Sequence, residues 1–362
     1  MRPGRLRLAS GRRRLLGWGS AYPGPAISTE DLCRQVCDGL GYGKRRLAMA
    51  LAQRLGVRSR HLCRDFAQGL ELPRPGDRNP ELAARALRAA QTRAGLAEDA
   101  LAYLISHSCT PAQLLPGGSA EIAQRIGHQG AHLELRQACT GFANALQLAF
   151  ALTAEPGSAP VGIVGVETGS VFFDPASLQT QGEQWVNFLQ MGDGAAAVIV
   201  GPEDGGQGPL LQAAFFGQCQ QAPPAGLRLR MGGSDCPLLQ AGALQFEHDY
   251  ASVAEHGLFL FEQGRQALAQ AGWSLAQAAM CVPHQASGSL GPWLAQHWGL
   301  PVERVCQHGA SVGNLGSASI WAALDRLMSD AALPAGPLLF LGAEATQYSY
   351  GGFALERGEL GA

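Results

Sequence analysis

From Phe142 to Leu152 the chain reads FANALQLAFAL, and only Asn144 and Gln147 in that run carry side chains able to hydrogen-bond. A helix that is apolar on nearly every side is buried on every side. This one is therefore expected between two layers of other structure. Elsewhere the period of the pattern alternates. Residues 13–21 (RRLLGWGSA), 100–108, 132–138, 160–168, 194–201, 209–218, 278–286, 302–310, 336–345 and 350–356 read as strands. Residues 44–55, 79–96, 119–127, 140–154, 256–272, 288–299 and 317–329 read as helices. Such alternation predicts an α/β fold with mostly parallel sheets.

Two stretches share one order of strand, small-residue turn and helix: LELRQACTGFANALQLAFAL and RVCQHGASVGNLGSASIWAALDRL. Each comes late in its part of the chain, which suggests two similar halves, 15–205 and 206–362. Residues 1–14 are basic and are expected to be a disordered tail. Gly17, Gly19 and Pro23 interrupt the apolar run behind those arginines, against a signal peptide. No apolar run reaches the ~18 residues of a membrane helix.

The 362 residues are 46% hydrophobic and 15% charged, enough for one large domain or two ordinary ones. A net charge of −2 provides no global basic field for nucleic acid. Nine scattered cysteines point to a reducing compartment, the cytoplasm, rather than a disulfide framework. Cys33, Cys37, His61 and Cys63 form C-x3-C and H-x-C, unlike the usual zinc spacings, so no metal is expected.

Cys139 precedes the apolar helix. Backbone N–H groups and the helix dipole there favour a thiolate, which suits a nucleophile. The plainer reading is a small packing residue. A nucleophilic cysteine usually works with a histidine. Of the five that follow it, His284 in CVPHQASGS stands where a loop leaves a strand, the place α/β folds put functional groups. Asn314 in GASVGNLGSAS occupies the matching loop of the repeat. Taken singly, His284 reads equally as a structural histidine and Asn314 as a turn or cap residue.

Cysteine, histidine and asparagine in that order, each after a strand, resemble the thiolase-fold condensing enzymes, closest to the β-ketoacyl-acyl-carrier-protein synthase III branch. ACTGF resembles that family's ACAGF, PHQAS its PHQAN, GNLGSAS its GNTSAAS, MGDGAAAVIV its FGDGAGAVVL, and QRLGVRSRHL its TRTGIRERHI. The matches run in order from about Leu15 to the C-terminus. The resemblance implies a five-layer α-β-α-β-α fold of two similar halves, and a homodimer or a heteromer with a paralogue. It implies that Cys139 takes an acyl group from an acyl-coenzyme A or acyl-carrier-protein thioester. The acyl group is then condensed with a malonyl or β-ketoacyl thioester, whose enolate oxygen accepts hydrogen bonds from His284 and Asn314. No cofactor beyond the thioester carriers is implied. Arg54 matches the carrier side of the site, and Leu115 is expected to line an acyl pocket.

The chain also departs from that pattern. Ala50 stands where the family stacks a tryptophan on adenine. Ser287 and Ser289 replace the asparagine and arginine beyond the histidine. Ala345, Thr346 and Gln347 replace the glycines of GGGFTWG, and residues 171–190 are longer than usual. Leu115, before Pro116, stands where enzymes joining two long acyl chains head to head carry a glutamate. These changes suit a specialised-metabolism member. Two alternatives are acyl transfer to an alcohol or amine without condensation, with His284 as base, and a non-catalytic partner of an active paralogue. A serine hydrolase built on GASVG, with Ser311 as nucleophile, is excluded because no histidine follows it.

Overall fold

The computed structural model describes residues 1–41, 43–68, 74–230 and 245–357; parts of the expected second half, 231–244 and 358–362, lie outside the described residues. The strands are β1 (Arg2–Leu8), β2 (Arg13–Ala21), β3 (Tyr103–His107), β4 (Ala131–Leu135), β5 (Val161–Glu167), β6 (Gly194–Gly201), β7 (Leu210–Gln220), β8 (Met280–Pro283), β9 (Leu338–Glu344) and β10 (Ser349–Glu356). The principal helices are α1 (Arg45–Leu55), α2 (Asn79–Ala94), α3 (Gly118–Ile126), α4 (Gly141–Leu152), α5 (Tyr250–Gln270), α6 (Leu290–Trp298) and α7 (Ser319–Met328).

One pairing scheme occurs twice. In the first half the order is β4–β3–β5–β6–β2, parallel through β5 and antiparallel from β5 to β2. In the second it is Val305, bridged parallel to Cys281, then β8–β9–β10–β7, with the same senses at each step. The strand expected over 302–310 is reduced to that single bridge, behind a short turn of helix at Val302–Arg304. The halves meet edge to edge where Arg13 and Arg14 of β2 pair with Leu211 and Leu210 of β7.

Alternate residues of each strand point to opposite faces, and here both faces are apolar. In β6, Ala196, Val198 and Val200 enter the central core, while Ala195, Ala197 and Ile199 meet the layer of α2 and α3. In β9, Leu338 and Phe340 enter that same central core, and Leu339 and Leu341 meet α5. Between the sheets lie α4, against β3, β5, β7 and β10, and α7, against β2, β6 and β8. This is the five-layer α-β-α-β-α arrangement. The run from Phe142 to Phe150 is buried apart from Asn144 and Leu148, as its composition predicts.

The expected N-terminal tail is corrected. β1 pairs antiparallel with β7, from Arg2↔Gln220 to Leu8↔Phe215. Main-chain pairing with a sheet edge does not depend on charge, and its arginines remain exposed. Met1 and Leu6 pack on the outer core of the second half. Arg13 is buried, and its Nε donates to Thr153 Oγ1 at 3.0 Å just beyond α4. A cation at that helix's C-terminus is favourably placed.

Phe142 is fully buried and meets Trp321 and Phe353 edge-on. Phe142→Ala should cost about 3–5 kcal/mol, whereas Leu152→Ala, at an exposed position on the same helix, should cost under about 1 kcal/mol. Urea midpoints would measure both, and equal losses would contradict the placement of α4.

Candidate active site

Cys139 lies in the turn from β4 to α4. Asn314 lies in the corresponding turn of the second half, between the Val305 bridge and α7, and His284 follows β8 directly. Strand β9 brings the first and last of these elements together. The His284 N–H donates to the Leu341 carbonyl at 2.7 Å. At the next residue of β9 only a glycine fits. A Cβ on Gly342 would lie 2.5 Å from the Phe142 ring and 3.4 Å from the Cys139 carbonyl oxygen. His284 and the Cys139 turn thus flank one two-residue step of the same strand.

The Asn314 loop closes from the other side. Ser317 Oγ lies 3.2 and 3.4 Å from the carbonyls of Gln137 and Ala138, immediately before Cys139. Its N–H donates to Glu167 Oε1 at 3.2 Å, and that carboxyl also accepts from Cys109 N–H and Thr110 Oγ1. Gly316, at φ +48°, allows this approach, since a Cβ would sit 2.8 Å from Glu167 Cγ. The backbone of Asn314 is clamped by the end of the 171–190 segment, with N–H to Gln190 O at 2.7 Å and O from Gly192 N–H at 3.0 Å. Its Oδ1 accepts from Gly316 N–H at 2.9 Å, which fixes the amide orientation. Nδ2 makes no hydrogen bond among the described residues and is left as a donor.

His284 is buried, and desolvation lowers its pKa from 6.5 to about 4, so the imidazole is neutral near pH 7. Its Nδ1 is enclosed without a partner. An orphan lone pair costs less there than an orphan N–H, which places the proton on Nε2.

At Cys139 burial acts against the favourable helix position. Burial, then the charges of Glu344 and Glu167, push the thiol well above its ordinary value, and its own backbone N–H only partly offsets this. The start of α4 serves another anion: Thr140 donates its N–H and Oγ1–H to Glu344 Oε2 at 2.9 and 2.6 Å.

Arg54 is exposed on α1, whose end meets the loop after His284 through Ser289 N–H to Leu55 O at 3.1 Å. Leu115 does not line a pocket within this chain. It is 86% exposed in the loop between β3 and α3, because 112–116 turn away from the body. Glu344, Thr140, Glu167, Ser317 and Cys109 were not singled out from the sequence. A carboxylate inside an apolar strand run, as in PLLFLGAEA and GIVGVETG, was the available signal for two of them.

The doubled sheet, the central helices and the loops meeting over β9 define a thiolase-fold condensing enzyme. Residues 133–217 match the family model of 3-oxoacyl-acyl-carrier-protein synthase III, and 268–357 match the model of its C-terminal part. The 3-oxopimeloyl-acyl-carrier-protein synthase of Rhodothermus marinus is 30% identical over 330 residues, 86% of this chain and 85% of that protein. The β-ketoacyl-acyl-carrier-protein synthase III of Sinorhizobium medicae is 26% identical over 94% of this chain and 97% of its own length. Among solved structures, the 3-oxoacyl-acyl-carrier-protein synthase III of Pseudomonas aeruginosa superposes with a TM-score of 0.75 at 26% identity, covering 97% of this chain and all of the other. A tetronic acid condensing enzyme superposes at 0.81, over 95% of this chain and 99% of its own, with 24% identity, a likeness of fold. The chain belongs to the β-ketoacyl-acyl-carrier-protein synthase III family, and it is an acyltransferase. Among the described residues no helix is long and apolar enough to cross a membrane.

The lowered value of His284 has a visible consequence. Its ring resonances should stay at neutral positions, protonated on Nε2, as the pH falls from 8 to about 5. Because the unfolded chain takes this proton first, near 6.5, the native state loses stability as pH falls from there toward 4. A midpoint near 6.5 in the folded protein would contradict the assignment.

Proposed function

We propose that Cys139 is acylated by an acyl-coenzyme A or acyl-carrier-protein thioester and that the acyl group is then condensed with a malonyl or β-ketoacyl thioester. In the first step the sulfur attacks the thioester carbon and the carrier thiol leaves with the cysteine's proton. Loss of CO2, or of a proton, from the second thioester leaves an enolate whose charge sits on the thioester oxygen. His284 Nε2–H and Asn314 Nδ2 donate to that oxygen. The enolate carbon attacks the acyl carbon, and the Cys139 sulfur leaves and is reprotonated. The chemistry asks for no metal or redox group.

The observation that carries this reading is the arrangement over β9. The backbone of His284, whose imidazole is neutral, is bonded to Leu341, the cysteine turn meets Gly342, and a carboxamide with its Nδ2 uncommitted among the described residues lies in the loop packed on Gln137 and Ala138. Such donors, held in a dry site before the charge forms, stabilise an oxyanion by a few kcal/mol each. Arg54 lies on the carrier side, next to the loop after His284. A homodimer is part of the reading, with the exposed Leu114 and Leu115 covered by the second copy. The cytoplasm suits cysteines that are all unpaired among the described residues.

Incubation with a panel of acyl-coenzyme A thioesters, read by intact mass, tests it. One acyl increment should appear and be lost in Cys139→Ala. His284→Ala and Asn314→Ala should still load, while CO2 release from the malonyl thioester falls by roughly 10²–10³. Loading that survives Cys139→Ala, or parental condensation in Asn314→Ala, would refute the corresponding role.

A further inference from the structure

Glu167 closes β5 and is buried, 4% exposed. Donors from two loops converge on its carboxylate. From the loop after β3 come the Cys109 N–H, 3.1 Å from Oε1 and 3.3 Å from Oε2, the Thr110 hydroxyl, and Ser108 Oγ at 3.4 Å. Thr110 Oγ1 itself accepts from Thr168 N–H at 2.8 Å, and Ser108 Oγ from Thr110 N–H at 3.1 Å, so each hydroxyl keeps its proton for the carboxylate. From the Asn314 loop come the Ser317 N–H, 3.2 Å from Oε1, and the Ser317 hydroxyl. The N–H one residue earlier, on Gly316, is the one that holds Asn314 Oδ1 at 2.9 Å. Successive N–H groups of one turn thus serve the two side chains. We propose that Glu167 is a positioning residue for condensation, which fixes the Gly316–Ser317 turn and through it the direction of the Asn314 carboxamide. The inference rests on Asn314 as a donor to the enolate.

A buried carboxylate and the N–H groups around it hold one another, because either partner left alone has no water to turn to. The turn sits directly on this one. A Cβ on Gly316, at φ +48°, would lie 2.8 Å from Glu167 Cγ and 3.2 Å from Oε1. Ser317 Oγ also reaches the carbonyls of Gln137 and Ala138, at 3.2 and 3.4 Å, so the same residue touches the carboxylate and the segment before Cys139. The backbone of Asn314 is held separately, by Gln190 and Gly192, and Thr140 by Glu344. Loss of the Glu167 bonds would therefore leave the loop and the cysteine turn in place and free only the Gly316–Ser317 turn. That is enough to matter for a donor. An oxyanion is stabilised by groups about 3 Å away, and a misplacement of about 1 Å can cost about 10²-fold in rate.

Glu167→Gln in the full chain tests this. The amide keeps the size of the side chain but offers one accepting oxygen to two loops and turns an NH2 group toward the donors of the other. Loading of Cys139 from acyl-coenzyme A should stay within about threefold of the parent, while kcat for CO2 release from the malonyl thioester falls about 10–10²-fold at a KM changed by less than about threefold. Combined with Asn314→Ala, it should cost less than about threefold beyond Asn314→Ala alone, since a residue that acts through the carboxamide then has nothing to position. Parental kcat in Glu167→Gln, equal losses of loading and condensation, or losses that multiply in the double variant would each overturn the inference. If Glu167→Gln does not fold, Ser317→Ala decides by the same three criteria, with an expected loss of about tenfold for the one hydroxyl bond removed. Condensation impaired in Asn314→Ala but not in Glu167→Gln would refute this inference and leave the proposed function standing. Parental condensation in Asn314→Ala would refute both.

Discussion

The contact that α4 and α7 make with both sheets at once fixes the rest of the molecule. Each helix is apolar around most of its circumference, so neither is stable with a face in water. Burying them requires a second sheet, and the repeated pairing scheme supplies it. Once both helices are enclosed, their N-terminal turns are enclosed too. Those turns carry Cys139 and Asn314. A duplicated packing solution therefore delivers Cys139 and Asn314 to the middle of the protein, between its two sheets.

That placement governs the electrostatics. In the interior each charge needs hydrogen bonds or a neutral form. Glu344 and Glu167 are each met by several donors from adjacent loops, and His284 stays neutral. The thiol stands beside two carboxyl groups, and among the described residues no cation offsets them. A helix start does favour an anion, but here it holds a carboxylate from the opposite half of the chain. In the proposed condensation the developing charge has a different outlet: the His284 Nε2–H and the Asn314 Nδ2, neither of which has a hydrogen-bond partner among the described residues. A site poor in fixed positive charge but supplied with neutral donors suits a charge that exists only along the reaction path.

Much of this was legible in the sequence. One apolar run, 142–152, was enough to require a layer on each side of it, and the shared order of elements around Cys139 and Asn314 announced the duplication. Local composition misled at the N-terminus, where arginines suggested disorder. β1 forms because β7 offers an open edge, and no local pattern reports a distant edge. At Cys139, too, helix position is a local signal, whereas Glu344, whose charge opposes that signal, arrives from 205 positions further along the chain. Leu115 was read as a pocket residue from its place where related enzymes carry a glutamate, but the exposure of its loop depends on how 112–116 leave the body. Sequence pattern thus conveyed the periodic and repeated features, and tertiary neighbours decided the charges.

A crystal structure of the chain trapped with a non-hydrolysable malonyl thioester analogue would test the central claim most directly. The account predicts His284 Nε2 and Asn314 Nδ2 both within about 3 Å of the analogue's thioester oxygen, with the Cys139 sulfur facing its reacting carbon. An oxygen bound by neither group, or a cysteine turned away from the same cavity, would contradict it.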